Sequence, residues 1–390
     1  MNTVIGFWFT VIAKHQKSNT DNRTPITEYM RQIRINLFLV TSILLAIGTV
    51  MIYSSSSAFA YESYGSSAYF LKRHIIFMFI GLIAAVSLMS FDYGKLKNYA
   101  KPFLIFSILL LIAVFIPGIG RSAGGARRWI KLGSISFQPS EIAKMALVFY
   151  AADVLSRKQS EIKDFLYGFL PLMIALGVCI SLILLEPDLG TAVALTFLII
   201  IMAFIAGVDI KQLLAMIVPG LIAMIGLIAT KPYRIKRIMA FWNPWNDPRG
   251  SGFQIIQSMV AMGTGGFFGV GLAHSKQKLF YLPEAHTDFI FSIIGEELGL
   301  IGTLGIVILF AIFIWLGFRI AYSARDLYGQ FLAFGLVTML ALQVIINIAA
   351  VTGSIPTKGM PLPFISYGGT SLVYSLASVG LLLNIAKHRR

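Results

Sequence analysis

The residues able to do chemistry gather in three stretches of the chain. In one, His286-Thr287-Asp288 runs straight into the apolar Phe289-Ile290-Phe291, so Asp288 stands where a helix begins. Spacing leaves two readings of it open. Thr287 or Asp288 can cap the helix, satisfying free amides and complementing the dipole. Alternatively, the carboxylate lies at the rim of a semi-apolar cavity, as a general base or metal ligand. Glu296 and Glu297 follow about two turns deeper, where ionised side chains need cations or water as partners. In the second stretch, Glu141 and Lys144 are three apart on one helical face, able to pair with each other or across helices. Ser140, after Pro139, reads as the cap of that helix, and Asp188, between Pro187 and Gly190, as the cap of another. In the third, Pro356-Thr357-Lys358-Gly359 and Ile365-Ser366-Tyr367-Gly368-Gly369-Thr370-Ser371 interrupt the apolar pattern before the last apolar run. Irregular backbone at that depth survives only where protein buries it or where it lines a wet cavity. Ser366, Tyr367, Gly368 and Gly369 therefore read as a cavity wall.

Other chemistries are excluded. Ser275-x-x-Lys278 fits a serine–lysine signature, but it sits in a loop and neither S-D-N nor K-T-G follows. The glycine-dense run Met262–Leu272 lacks the G-x-G-x-x-G spacing and a preceding strand, so a dinucleotide site is rejected. The five histidines never fall at zinc-ligand spacing, and the single cysteine, Cys179, excludes an internal disulfide. Walker A, haem and nucleic-acid signatures are absent. No organic cofactor and no nucleic-acid partner is expected.

The elements that position these residues follow from composition. Of 390 residues, 57% are hydrophobic and 13% charged, against about 25% charged in a soluble chain. The pattern predicts an all-α polytopic membrane protein. A bilayer core asks for about 20 apolar residues per helix, and ten runs qualify: 36–58, 75–91, 102–118, 141–155, 165–186, 190–208, 213–230, 288–318, 329–350 and 368–386. The run 141–155 is short and holds Glu141, Lys144 and Asp153. Basic residues in the tail 1–34, in the connections at Lys95–Lys101, Arg157–Lys163 and Arg319–Arg325, and in the end 387–390 all fall on one side. This places both termini in the cytoplasm. The domain is thus 35–386, with a long extracytoplasmic loop over 231–287.

The outer loops break the positive-inside pattern. They carry Arg121, Arg127, Arg128 and Lys131, then Lys231, Arg234, Lys236 and Arg237, then Arg249, Lys276, Lys278 and Lys358. Either these are solvated loop charges, or they meet an anion at the outer surface such as a lipid-linked phosphate. Trp242 and Trp245 around Pro244 suggest a segment at headgroup level. Residues 1–12 are apolar but too short to span and lack a basic flank and cleavage site. They read as a cytoplasmic or interfacial tail.

The chain resembles the SEDS family (shape, elongation, division and sporulation) over about residues 35–386. The resemblance is carried by ARRWIKLGSISFQPSEIAK at 126–144, EPDLGTA at 186–192 and FWNPWNDPRGSGFQIIQS at 241–258. QKLFYLPEAHTDFIFSIIGEELGLIG at 277–302 and PTKGMPLPFISYGGTS at 356–371 complete it. HTDFIF, GEELG and PFISYGGTS look most like the division branch, with the elongation and sporulation branches as alternatives. Met360 and Thr370 stand where leucine and serine are commoner.

This resemblance implies a peptidoglycan glycosyltransferase that polymerises lipid II into β-1,4 glycan on the outer face of the cytoplasmic membrane, releasing undecaprenyl pyrophosphate. It implies a class B penicillin-binding protein as partner, with other divisome membrane proteins and membrane lipids around it, and a place at the division septum. The family's essential acidic residue falls on Asp288, and its charged pair on Glu141 and Lys144. On that basis Asp288 is expected to take the proton of the acceptor 4-hydroxyl. Arg128, Lys131, Arg234 and Lys358 are expected to stabilise the departing pyrophosphate. A divalent cation, Mg or Mn, bridging pyrophosphate to a carboxylate would do similar work. Direct attack predicts inversion at the anomeric carbon. Two alternatives remain: a lipid II flippase, which predicts internal pseudo-symmetry that the halves do not show, and a non-catalytic scaffold for the crosslinking enzyme.

Overall fold

The computed structural model describes residues 23–388 apart from 124, 125, 134 and 163. The expected tail reading of residues 1–12 lies outside the described residues, as do Lys163 and the terminal Arg389 and Arg390. Twelve α-helices and one three-stranded sheet are described. In chain order they are α1 Arg23–Tyr64, α2 Tyr69–Ser90, α3 Tyr93–Ala113, β1 Gly120–Ala123, β2 Ala126–Leu132, β3 Ile135–Phe137 and α4 Pro139–Arg157. Then come α5 Leu170–Leu185, α6 Leu189–Ala206, α7 Ile210–Ala229, α8 Pro232–Trp242, α9 Phe253–Gly265, α10 Ile290–Ser323, α11 Leu327–Val351 and α12 Gly369–Lys387.

Nine of the described helices are long and apolar enough to cross a membrane. The tenth expected span is α4, and its charges explain why it stands apart. It is buried along nearly its whole length, wrapped by α3, α5, α6 and α11, so its polar residues face protein rather than lipid. Several helices outrun their apolar cores. α3 begins at Tyr93, not 102, because Asp92 caps it by accepting from the Gly94 amide at 2.9 Å, and Pro102 is held inside the helix. Ser140 does not cap α4. Gln138 holds that position and Pro139 fills the first turn, where a missing N–H costs nothing. Asp188 does cap α6, accepting from Thr191 N at 3.0 Å.

Successive helices alternate in direction. The connections 65–68, 114–138, 186–188, 230–289 and 352–368 meet at one end of the bundle. Asp92, Asp326 and Asn384 mark the other, where Tyr93 donates to Asp326 at 2.6 Å and Asn384 donates to Leu88 O at 2.5 Å. α12 packs along α2 through small residues: a Cβ at Gly380 would lie 2.3 Å from Ala85 O, and one at Gly81 would lie 2.6 Å from the Leu376 side chain. Such contacts suit a bundle that gains little hydrophobic drive from lipid.

Loop 231–287 is more ordered than a connection. α8 is a short helix that leaves Trp242 86% exposed. α9 descends beside the first turns of α10, with Ser258 Oγ 2.7 Å from Ser292 Oγ and donating to Val351 O at 2.6 Å. The glycine-dense run then turns back against α10 rather than around a ligand. Val270 N and Gly271 N donate to Glu296 O and Glu297 O at 2.9 and 3.0 Å, and α10 is broken at Gly299, φ 67°. A Cβ there would stand 2.4 Å from Gly269 N. Glu296 and Glu297 are the clasp of this re-entrant segment. Glu296 accepts from Ser275 Oγ, from Lys276 N at 2.9 Å and from Gln277 N at 3.3 Å. Glu297 pairs with Lys278 Nζ at 2.7 Å and accepts from Ser54 Oγ of α1 at 2.7 Å.

Candidate active site

A cavity of about 420 Å³ opens where the sheet, the α5–α6 turn, the residues before α10 and the segment before α12 converge. Its wall holds Asp288, Arg128, Glu141, Asp188, Tyr367, Gly368 and Gly369.

Asp288 is half-buried, and its carboxylate is not spent on the helix. The cap position of α10 is Phe289, with no side-chain bond, and Thr287 Oγ1 donates to Glu284 Oε2 at 2.8 Å. Of the two readings that spacing leaves open, the cap is thereby removed. Asn347 of α11 fixes the location instead. Its amide donates to Asp288 O at 2.8 Å and to Met360 O at 2.6 Å, tying the start of α10 to the Lys358 loop. Gly359 abuts the carboxylate so closely that a Cβ would lie 2.5 Å from Asp288 Oδ2. Burial, with Glu284 adding to it, pushes the Asp288 carboxyl up to about 7, while Lys358 and Arg237 act the other way.

The cations are placed by an irregularity in a strand and by a slot. The β1–β2 register shifts between Arg121, opposite Trp129, and Ser122, opposite Arg127, so Arg128 faces no β1 residue. An extra residue of this kind bends a strand and re-aims its side chains. Arg128 and Trp129 both reach the cavity wall. The Arg128 Nε donates to Glu186 O at 2.9 Å and an Nη to Pro187 O at 2.5 Å. Lys131, beyond that irregularity, is exposed and is not part of the cavity wall. Lys358 lies across Gly190, where a Cβ would meet its Cδ at 2.0 Å. Its ammonium is 3.3 Å from Thr191 Oγ1 and 3.9 Å from Asp188 Oδ1. Burial pushes Lys358 down to about 8 against the pull of Asp188. Burial alone would raise Asp188, but Lys358, Arg128 and the Thr191 bonds together hold it below its ordinary value.

Glu141 reaches the cavity wall from α4 and pairs with the fully buried Lys144 at 2.6 Å. Lys144 also lies 5.7 Å over the Tyr374 ring. The segment before α12 is pinned by Gln343, which donates to Pro361 O at 2.7 Å and Ser371 Oγ at 3.0 Å, and by Tyr367 N donating to His286 O at 3.0 Å. Ser366 is consumed in this scaffolding, accepting from Leu362 N at 2.8 Å. Arg234 of α8 is buried against the end of α7, donating to Leu227 O at 2.6 Å and to the neighbouring Tyr233 Oη at 3.0 Å, and is not in the cavity wall.

Sequence reading missed Arg73, Trp129, Gln138 and Glu284, which line the cavity, and Glu186. The Glu186 carboxylate is fully buried, and neither oxygen meets a hydrogen-bond donor among the described residues. Burial, with Asp188 adding to it, pushes it up to about 8. The EPDLG run was the signal for Glu186. Arg73 carried none, because a basic residue near a span end reads as an ordinary flank. Among the described residues no three His, Cys, Asp or Glu side chains converge as a metal cage.

The family model described as "Cell cycle protein" (FTSW_RODA_SPOVE) matches residues 34–390. The probable peptidoglycan glycosyltransferase FtsW of Geobacter sp. (strain M18) is 47% identical over 357 residues, covering 91% of this chain and 96% of that one. Stage V sporulation protein E of Bacillus subtilis (strain 168) is also 47% identical over 357 residues, covering 91% and 97%. Among solved structures, a chain of a peptidoglycan synthase complex described as coordinating polymerisation and crosslinking superposes with a TM-score of 0.72 at 30% identity, over 90% of this chain and 96% of that one. The rod shape determining protein RodA of Thermus thermophilus superposes with a TM-score of 0.68 at 27% identity, over 90% and 96%.

Proposed function

As this chain belongs to the FtsW, RodA and SpoVE family of cell cycle proteins, we infer that it is a polytopic membrane peptidoglycan glycosyltransferase that polymerises lipid II into glycan. We place it at the division septum, on the outer face of the cytoplasmic membrane, working with a class B penicillin-binding protein and other divisome membrane proteins. The observation that carries the site assignment is Asp288: a half-buried carboxylate near neutral pKa, free of any capping role, in a cavity wall that also holds Arg73 and Arg128.

In the step we assign to it, the attacking sugar hydroxyl forms a bond to the anomeric carbon of the other sugar. Its proton passes to an Asp288 oxygen. The bond from that carbon to the pyrophosphate oxygen breaks, and the pyrophosphate leaves with the electron pair. Arg128 and Lys358 supply positive charge on the leaving side, with Arg128 oriented by two backbone carbonyls and Lys358 by Asp188 and Thr191. Lys131 and Arg234, outside the wall, add only to the longer-range field that draws an anionic substrate. A hard divalent cation keeps much of its water and binds through one or two carboxylates plus substrate phosphates. Magnesium or manganese would accordingly arrive on the pyrophosphate and lean on Asp288 or Glu284, neutralising charge there.

The polymerase reading is tested with purified chain, alone and with the cognate partner carrying an inactivated transpeptidase serine. Labelled lipid II is supplied in detergent micelles, which have no second leaflet to flip to. Glycan on a gel is the expected result. Lipid II left intact under every divalent-ion condition, with flipping in vesicles retained, would replace it by the flippase reading.

The slot geometry makes a separate prediction. Gly359→Ala puts a Cβ into the Asp288 carboxylate, and Gly190→Ala puts one into the Lys358 stem. Displacement of about 1 Å at a reacting group costs on the order of 10²-fold in rate. Each variant is expected to lose about that much polymerisation while keeping the wild-type thermal unfolding midpoint. Wild-type rates would show that neither contact sets the catalytic geometry.

A further inference from the structure

At the same end of the bundle an aromatic ladder climbs out of the cavity toward solvent. Tyr64 ends α1 and Tyr69 begins α2, joined by a tight turn at Gly65, φ 70°. Their rings lie parallel, centroids 3.9 Å apart and planes 3° from parallel. Phe70 stands edge-on to Tyr64 and to Tyr69, at 5.7 and 5.2 Å, and edge-on to Tyr367 at 5.0 Å. Arg73, one turn below Tyr69, donates to its hydroxyl at 2.8 Å with the guanidinium 5.4 Å over the ring. Arg73 and Tyr367 both line the cavity, so the ladder is continuous with the site. Tyr64, at its top, is 51% exposed.

We propose that the Tyr64–Tyr69 pair, with Arg73, is a subsite for the glycan strand already made, holding its sugars as they leave the cavity. The proposal rests on the polymerase reading above and adds where the product goes. A β-1,4-linked strand of equatorially substituted pyranoses shows two faces of C–H groups and an edge of hydroxyl and acetamido groups. The face of an aromatic ring is electron-rich and accepts the C–H face. A guanidinium, with five N–H donors and no acceptor, suits the carbonyls and hydroxyls of the edge. A tyrosine that merely anchors a helix at a membrane interface has an apolar body and a polar tip and needs no second ring stacked behind it. Here one ring backs the other, and Arg73 fixes the lower one, so the exposed ring of Tyr64 is held at a set angle to the cavity mouth. A pre-set platform keeps the end of a long strand near the reacting groups between additions, which lengthens the product made per encounter.

The test uses the full chain with its partner and labelled lipid II, and reads strand length on a gel. Tyr64→Ala/Tyr69→Ala is expected to shorten the strands several-fold, and Tyr64→Phe/Tyr69→Phe, which keeps both faces, to restore them. The single Tyr64→Ala, at an exposed position, serves if the double variant does not fold. Strands of wild-type length from a folded alanine variant would overturn the proposal. Binding is read separately on a Tyr64→Trp chain in micelles titrated with chitohexaose, comparing its emission with that of the wild type. A saturable change is expected, and its absence would also overturn the subsite. Failure of the wild type to make any glycan would instead remove the polymerase reading, while the titration, which needs no turnover, still judges the platform.

Discussion

Asp288→Asn is expected to lower lipid II polymerisation by on the order of 10²- to 10⁴-fold, the usual contribution of a positioned general base, with the fold intact. The amide occupies the same volume but accepts no proton. The structure gives a reason for expecting stability to survive. Asp288 does not cap α10, and its tie to the bundle runs through its backbone carbonyl to Asn347. The electrostatic sign agrees. Burial raises the folded-state pKa from 3.8 to about 7, so the fold disfavours the ionised form. The stability linked to this group is fully present while both states are protonated and declines as pH rises above 3.8 toward the folded value. Replacing it by a neutral side chain removes a burden at neutral pH. Glycan yield on a gel, beside a thermal unfolding curve, checks both halves. A folded variant with near-wild-type yield would leave the scaffold reading standing.

The second large effect is on stability. Lys278→Met leaves Glu297 buried without its cation, and breaking a buried pair by removing one partner costs about 3–5 kcal/mol. Among the described residues Glu297 would keep only the Ser54 hydroxyl. The consequence reaches the site, because the turn-rich segment leaving Lys278 leads to His286 and Asp288 and is held by this clasp. Lys278→Met/Glu297→Gln, which removes both charges, is expected to regain most of the loss. Loss of helical signal against SDS fraction, in mixed micelles, measures it. Equal stability of the single variant and the wild type would show that the clasp is not structural.

How far the sequence reveals this molecule depends on the range of the interaction concerned. Membrane spans are local properties, so the apolar runs located all ten helices of the bundle, missing chiefly the polar ends that extend α1 and α3. The sheet was hidden because β2 carries Arg127, Arg128 and Lys131 and its register with β1 shifts at Arg128, so no clean period-2 pattern reaches the sequence. That irregularity, once seen, separates Arg128 in the cavity wall from the exposed Lys131, which spacing treated alike. The partners of Glu297 were unreadable for another reason: Lys278 and Ser54 lie 19 and 243 residues away. For Asp288, spacing could not choose between cap and site, and the choice came from resemblance. The structure supplies the physical ground, in a helix whose cap position is Phe289 and a glycine whose missing side chain leaves room for a carboxylate. The aromatic ladder had no sequence signal, since Tyr64 and Tyr69 five residues apart become neighbours only through the turn at Gly65.

The central claim is that the Asp288 carboxylate takes the proton, and the pH dependence of kcat/KM for lipid II tests it most directly, in the wild type and in Asp288→Glu. Kcat/KM reports the free enzyme's groups. The account predicts a rate that rises as pH passes about 7, where Asp288 loses its proton, and falls beyond about 8, where Lys358 loses its charge. Asp288→Glu is predicted to move the acid limb and leave the alkaline limb in place. An acid limb that is absent, or that stays where it was in Asp288→Glu, would contradict the account and assign the proton to another group.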